Sequence, residues 1–218
     1  MIREIPRLIS MPVLSSKKID LISQLCFRPD DKLEKSDVLF AFSTSVYQQK
    51  LASIVCNVID SNLVDNVILT GGVIDFNDVK HIPIPEWKQI YDLIDIQKYN
   101  HINFIIEKES TNTLSNVLNA FDVFDLRSVN NLIYIFKSYA SRRGYLTLRR
   151  YLPKTHLMQV SYDVRYDNSN DEINIDNWYT NPINAQRVWG EVVRIKTYGE
   201  RGDIEYEEIR DTMDKIIN

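Results

Sequence analysis

Short apolar runs alternate with longer amphipathic segments along this chain, and that alternation predicts strands and helices laid down as βαβ units. Asp37 to Phe42 (DVLFAF) is apolar at every position after the first, the mark of a strand buried on both faces. Behind it Leu51, Ile54, Val55, Val58 and Ile59 recur at 3.6-residue spacing and predict a helix over 46–60. The run 66–70 ends in Gly71-Gly72, a strand followed by a tight turn. Positions 73–85 read as an irregular loop closed by Pro83 and Pro85, with a helix starting near Glu86. Further strands are expected at 102–107, 131–136 and 157–161, and helices at 17–27, 112–125 and 140–151. Residues 162–182 are polar and turn-rich and predict a long loop, after which helices at 184–198 (Val188, Trp189, Val192, Val193, Lys196) and 205–217 close the chain.

The expected product is one α/β domain over 1–218. It is a Rossmann-like three-layer sandwich with a mostly parallel sheet of about five strands, a core at about 37–161 and a helical appendage from about 1–30 and 183–218. No internal repeat or low-complexity linker interrupts it. With 44% hydrophobic and 26% charged residues in 218, the composition is that of an ordinary globular chain. The 26 Lys+Arg against 30 Asp+Glu leave a formal charge of -4, which argues against a general nucleic-acid binder. No apolar run approaches the roughly 20 residues of a membrane span, so no membrane insertion is expected. The N-terminal stretch has no secretory pattern, and the expectation is a cytoplasmic protein. Cys26 and Cys56 sit among apolar neighbours and read as buried core thiols, and the sequence predicts no metal site, since His81, His101 and His156 lie far apart and no CxxC or HExxH spacing occurs.

Ligands of open parallel sheets bind beyond the carboxyl ends of the strands, so the residues just after each apolar run are the candidates. They are Ser43 and Thr44, then Gly71 and Gly72, then Glu107 through Thr113, then Lys137 and Tyr139. The Gly pair permits positive φ and close approach, so its N–H groups are candidates for facing a phosphate or carboxylate. One of Ser110, Thr111 and Asn112 is expected to cap the helix that follows, while Asn112, Thr113 and Asn116 line the edge of its first turn, where the dipole favours an anion. Arg142 and Arg143 add cations at the mouth of the fourth strand, and Arg143 is expected to fork onto an anion and to be removable at little cost in stability. Arg149 and Arg150 read as a solvated helix face. Glu86 and Glu107 are the acidic groups placed for a general-base or hydroxyl-accepting role, each with a solvated loop carboxylate as its plain alternative.

Several of these motifs resemble the YdcF-like family, which includes the SanA and ElyC envelope proteins, and most closely its YdcF-type branch. Glu107-Lys-Glu-Ser-Thr-Asn-Thr-Leu-Ser-Asn116 is similar to the family's E-x-x-[SA]-x-N-T-x-x-N signature, and Thr70-Gly71-Gly72 to its S-G-G turn. Glu86 falls where the family has an E-A pair, here with Trp87 in place of Ala. Lys137 to Arg143 resembles K-P-Y-M-x-R-R, and Trp189 to Tyr198 resembles the V-G-D-x-x-R-I-x-x-Y close. Two departures are Ser43-Thr44 in place of the glycine after the first strand and the missing His near Tyr139-Ala140. The resemblance covers about 37–204 and implies a Rossmann-like fold whose pocket holds a nucleotide-like ligand, S-adenosylmethionine being a candidate; it implies no particular reaction.

Three functional expectations follow. The first is binding of a small anionic or nucleotide-like molecule, possible S-adenosylmethionine included, at the strand ends. The second is an enzyme acting on a phosphorylated or glycosylated metabolite with Glu107 or Glu86 as base. The third is a non-enzymatic interaction protein with an unknown partner, for which the acidic segment from Glu200 to Asp214 is a candidate surface, although an amphipathic surface helix packed on its own domain is the preferred reading of that segment.

Overall fold

The computed structural model describes residues 5–73, 84–166 and 171–217. Five strands, β1 (Val38–Ala41), β2 (Asn66–Leu69), β3 (Asn103–Ile106), β4 (Asn131–Lys137) and β5 (His156–Tyr162), form one sheet in the order β3-β2-β1-β4-β5. Every pairing is parallel, so β1 is central. Its four residues are wholly enclosed, as an uninterrupted apolar run requires when both faces of a sheet are covered. The covering helices are α1 (Ser16–Cys26), α2 (Gln48–Asp60), α3 (Glu86–Tyr91), α4 (Thr113–Val123), α5 (Ser141–Tyr151), α6 (Pro182–Arg201) and α7 (Arg210–Ile217). Helix α2 packs with α3, α4 with α5, and α1 with α5, α6 and α7, giving the expected three-layer α/β sandwich. No helix among the described residues is long and apolar enough to cross a membrane.

Element ends shift by one to three residues from the sequence expectation, with larger changes near the C-terminus. Helix α6 runs to Arg201 and stops at Gly202, whose φ of 84° closes the end without a Cβ penalty. The segment expected to be helical from 205 begins as a short 3-10 turn at Glu207–Ile209 and only then becomes α7. The segment 162–182 departs most from a loop. Among its described residues Val164 and Ile173 form an antiparallel bridge and are fully buried, and Trp178 is the largest fully buried side chain of the core. The indole Nε1 of Trp178 donates to Ser23 Oγ of α1 at 2.8 Å, so this stretch is fastened to α1. The irregular loop expected at 73–85 lies largely outside the described residues, as does His81. Cys26 is buried as expected, but Cys56 is half-buried and not a core thiol. Arg149 is not simply solvated: its guanidinium donates to the carbonyls of Pro153 (2.9 Å) and Thr155 (3.0 Å), which lie beyond the helix end.

The edge strand β5 is protected from pairing with another chain by its own upstream segment. Asp31 Oδ2 accepts from Gln159 N at 2.8 Å, Asp30 Oδ1 from Ser161 N at 2.7 Å, and Asp31 N donates to Gln159 O at 3.1 Å. The fully buried Gln159 side chain joins this edge to the core, accepting from Tyr134 OH at 2.7 Å and donating to Arg28 O at 2.6 Å. Gln159→Leu keeps the volume but orphans the buried Tyr134 hydroxyl. It should cost about 1–3 kcal/mol by denaturant unfolding, and adding Tyr134→Phe should restore part of that loss.

Candidate functional site

The chain leaves β3 at one edge of the sheet and re-enters beside β1 as β4, so the strand order reverses between β1 and β4. Crevices of this kind are where open α/β sheets take their ligands. A cavity of about 420 Å³ lies there. Its wall includes Ser43 after β1, Glu86 at the start of α3, Thr111, Asn112, Thr113 and Asn116 around the start of α4, and Lys137, Tyr139 and Arg143 after β4. Residues from four parts of the sequence thus converge.

Five expected residues do not line it. Thr44 is buried and its Oγ1 accepts from Val46 N at 3.1 Å, shaping the turn after β1. Gly71 N donates to Glu107 Oε2 at 3.2 Å and Gly72 N to Ser110 O at 2.7 Å, so neither amide is left to face an anion. The two glycines are required for packing. Gly71 has φ 114°, and a Cβ on it would lie 2.9 Å from Glu86 Cβ, while one on Gly72 would lie 2.5 Å from Lys108 O. Glu107 is neither a solvated carboxylate nor placed as a base. Its Oε1 accepts from the backbone of Glu109 (2.7 Å) and Ser110 (2.9 Å) and from Asn119 Nδ2 (3.3 Å), and its Oε2 accepts from Gly71 N and Ser110 Oγ. Five donors crowd the roughly four lone-pair directions of one carboxylate, so none is left for a ligand. Arg142 turns away to Leu25 O (3.2 Å) and Glu208 (3.2 Å). Asn112 is the N-cap of α4, its side chain accepting from Ser115 N at 2.9 Å in a capping box, while still forming part of the wall.

The far wall is built mainly by α6. Buried Asn184, Arg187, Glu191 and Arg194, with Tyr198 and Arg201 beyond them, recur every three or four residues, one position behind the apolar stripe Ala185, Val188, Val192 and Ile195. Arg187, Glu191, Arg194, Tyr198 and Arg201 of this polar stripe line the cavity. Its periodicity was available in the sequence. What a helix alone cannot reveal is that two adjacent stripes are both buried, one against core and one against a polar cavity. Arg7 and Tyr166 also line the wall, and no local pattern marks either.

Glu191 sits between two guanidiniums. Arg143 Nε donates to Oε2 at 2.6 Å and Arg194 Nη1 to Oε1 at 3.0 Å, with side-chain exposures of 12%, 4% and 9% for Arg143, Glu191 and Arg194. Burial pushes the Glu191 carboxyl up, but Arg143 and then Arg194 outweigh it and hold it below the usual carboxylate range. Arg143 Nη1 also donates to Thr113 Oγ1, and Arg194 Nη2 to Pro6 O at 2.5 Å. Tyr139 and Tyr166 place their hydroxyls 2.6 Å apart, and the Arg187 guanidinium lies 3.7 Å over the Tyr166 ring. Burial raises the Tyr166 phenol, but Lys137, the bond from Tyr139 and Arg187 together bring it below the ordinary value of 10.0, against the opposing field of Glu191. Tyr139 is pushed well above that value by burial first, then by Tyr166 and Glu191.

The cavity is therefore cationic. Among the described lining residues Arg7, Lys137, Arg143, Arg187, Arg194 and Arg201 stand against Glu86, Glu191 and Asp203, six positive groups to three negative. Among the described residues no cluster of three or more His, Cys, Asp or Glu side chains is arranged to hold a metal ion. The chain matches no family model and no curated protein.

The buried triad reverses the expectation that Arg143 can be lost cheaply. Arg143→Ala leaves Glu191 with one partner and should cost about 3–5 kcal/mol, as breaking a buried pair does. In thermal melts that corresponds to a fall on the order of 10 °C. Asn112→Ala, which removes only the cap, should cost about 1 kcal/mol.

Proposed function

We propose that this is a YdcF-like protein that binds a small anionic or nucleotide-like molecule in the crevice between the ends of β1 and β4. The observation that carries the reading is the excess of cations around a cavity of about 420 Å³ at the switch point of a parallel sheet. Lys137, which forms no ion pair among the described residues, and Arg187, stacked on Tyr166, are the groups assigned to the anion, with Arg143 behind them already engaged by Glu191. Within that reading a phosphate is favoured over S-adenosylmethionine, whose sulfonium would enter a wall of like charge. We place the protein in the cytoplasm on the strength of its sequence alone.

A second reading, an enzyme acting on a phosphorylated or glycosylated metabolite, is favoured by one observation: Glu86 is a buried carboxylate on the cavity wall. Glu107 has no part in it, since its oxygens are filled by five donors.

Calorimetric titration with inorganic phosphate tests the anion reading. Lys137→Ala should weaken binding by roughly 1.5–3 kcal/mol, about 10- to 100-fold, while leaving the melting temperature within a few degrees of wild type. Unchanged affinity in that variant would place the anion elsewhere.

The Tyr166 phenol gives the pH dependence its sign. Its proton leaves below the ordinary tyrosine value of 10.0 and puts a negative charge beside Lys137 and Arg187. Phosphate affinity should therefore fall as pH rises through that titration, and in Tyr166→Phe this alkaline loss should disappear. Ultraviolet difference spectra of the two proteins should show one phenol ionising early only in wild type.

A further inference from the structure

The cavity is not uniformly cationic. Its wall also includes Ser43 after β1, Glu86 of α3 and Asn116 of α4, a hydroxyl, a carboxylate and an amide. Two features bring Ser43 and Glu86 close. The φ of 114° at Gly71 turns the chain after β2, and the vacant Cβ position of Gly71 lies 3.2 Å from Glu86 Oε2 and 3.3 Å from Ser43 Cβ. The backbone of α3 is tied to the same turn, Glu86 N donating to Gly72 O at 3.0 Å and Trp87 N to Gly71 O at 3.0 Å. Glu86 is thereby held as a buried carboxylate on a fixed support.

Ser43 Oγ is buried and has no hydrogen-bond partner among the described residues. Buried hydroxyls are ordinarily satisfied, and leaving one unpaired costs on the order of 1–3 kcal/mol, which marks a place where an absent group completes the bonding. The group that suits a carboxylate acceptor flanked by a hydroxyl able both to donate and to accept is itself a hydroxyl.

We propose that the cavity recognises a phosphomonoester of a polyhydroxylated molecule, with the phosphate at Lys137 and Arg187 and the hydroxyls at Glu86 and Ser43. The inference rests on the anion reading above and adds the chemistry of the ligand's other end. Specificity then comes from the polar end. An apolar analogue leaves the Ser43 hydroxyl without the partner that a ligand hydroxyl supplies, and so is rejected more strongly than phosphate contacts alone discriminate.

Three probes separate the two ends in calorimetric titrations of wild type: inorganic phosphate, n-pentyl phosphate and ribose 5-phosphate. Ribose 5-phosphate should bind at least about tenfold more tightly than n-pentyl phosphate, the scale of one hydrogen bond to a charged group. Glu86→Gln, of the same shape, removes one negative charge from the wall. It should loosen ribose 5-phosphate by about tenfold while tightening inorganic phosphate, two changes of opposite sign that a general loss of structure does not produce. Ser43→Ala should narrow the preference for ribose 5-phosphate over n-pentyl phosphate. If inorganic phosphate binds but ribose 5-phosphate has no advantage over n-pentyl phosphate, the hydroxyl end is wrong and the anion site stands. If none of the three binds, the anion reading falls and this inference with it. The wild-type comparison decides the question even where a variant fails to fold.

Discussion

The site depends on a carboxylate held almost entirely out of solvent. Glu191 is 4% exposed, and two arginines from different parts of the chain hold it ionised. Desolvating three charges together gains little net stability, because the loss of hydration is of the same order as the attraction. What the arrangement supplies is position. Arg143 connects α6 to α5 and, through Thr113 Oγ1, to the start of α4, while Arg194 connects α6 to the carbonyls of Pro6 and Ile5. Helix α6 cannot slide past α5 without separating Arg143 from Glu191, so the polar stripe that forms the far wall of the cavity has one register.

The opposite rim is organised by a second buried carboxylate with a different role. Glu107 gathers Gly71 N, the backbone of Glu109 and Ser110, the Ser110 hydroxyl and Asn119 into one cluster. The turn after β2, the loop after β3 and helix α4 are thus fastened to each other. Ser110 Oγ also meets the Asn116 side-chain amide, which carries the same organisation to the cavity wall. Two buried acids therefore act as fasteners, one on each side of the crevice. Lys137 and Ser43, which also line the cavity, have less of their bonding consumed inside the protein.

This division of labour explains the cationic balance. Glu191 offsets part of the charge of Arg143 and Arg194, yet the wall keeps twice as many positive groups as negative ones among its described residues. Low-dielectric surroundings strengthen the field of that excess, as the acidified phenol of Tyr166 beside Lys137 and Arg187 registers. The chain as a whole is acidic, with a formal charge of -4, so the positive potential is a local property of the crevice.

The strands and helices were legible because burial on one or both faces leaves a periodic record: β1 is apolar throughout, and α2 is apolar at every third or fourth residue. The location of the site was legible for a related reason, since polar residues immediately after buried strands have few places to go except the strand-end crevice. The roles within it were not. Whether Glu107 faces a ligand or a ring of amides, whether Gly71 and Gly72 offer their N–H groups outward, and whether Arg143 is spent on Glu191 depend on partners 36, 38 and 48 residues away or on a loop's exact path. Trp178 looks like part of a polar loop until its indole is seen against Ser23, 155 residues distant. Periodicity records which faces are buried, because every residue on a face meets the same environment. Hydrogen bonding and charge pairing are settled one atom at a time by what the fold brings alongside, and no local pattern carries that information.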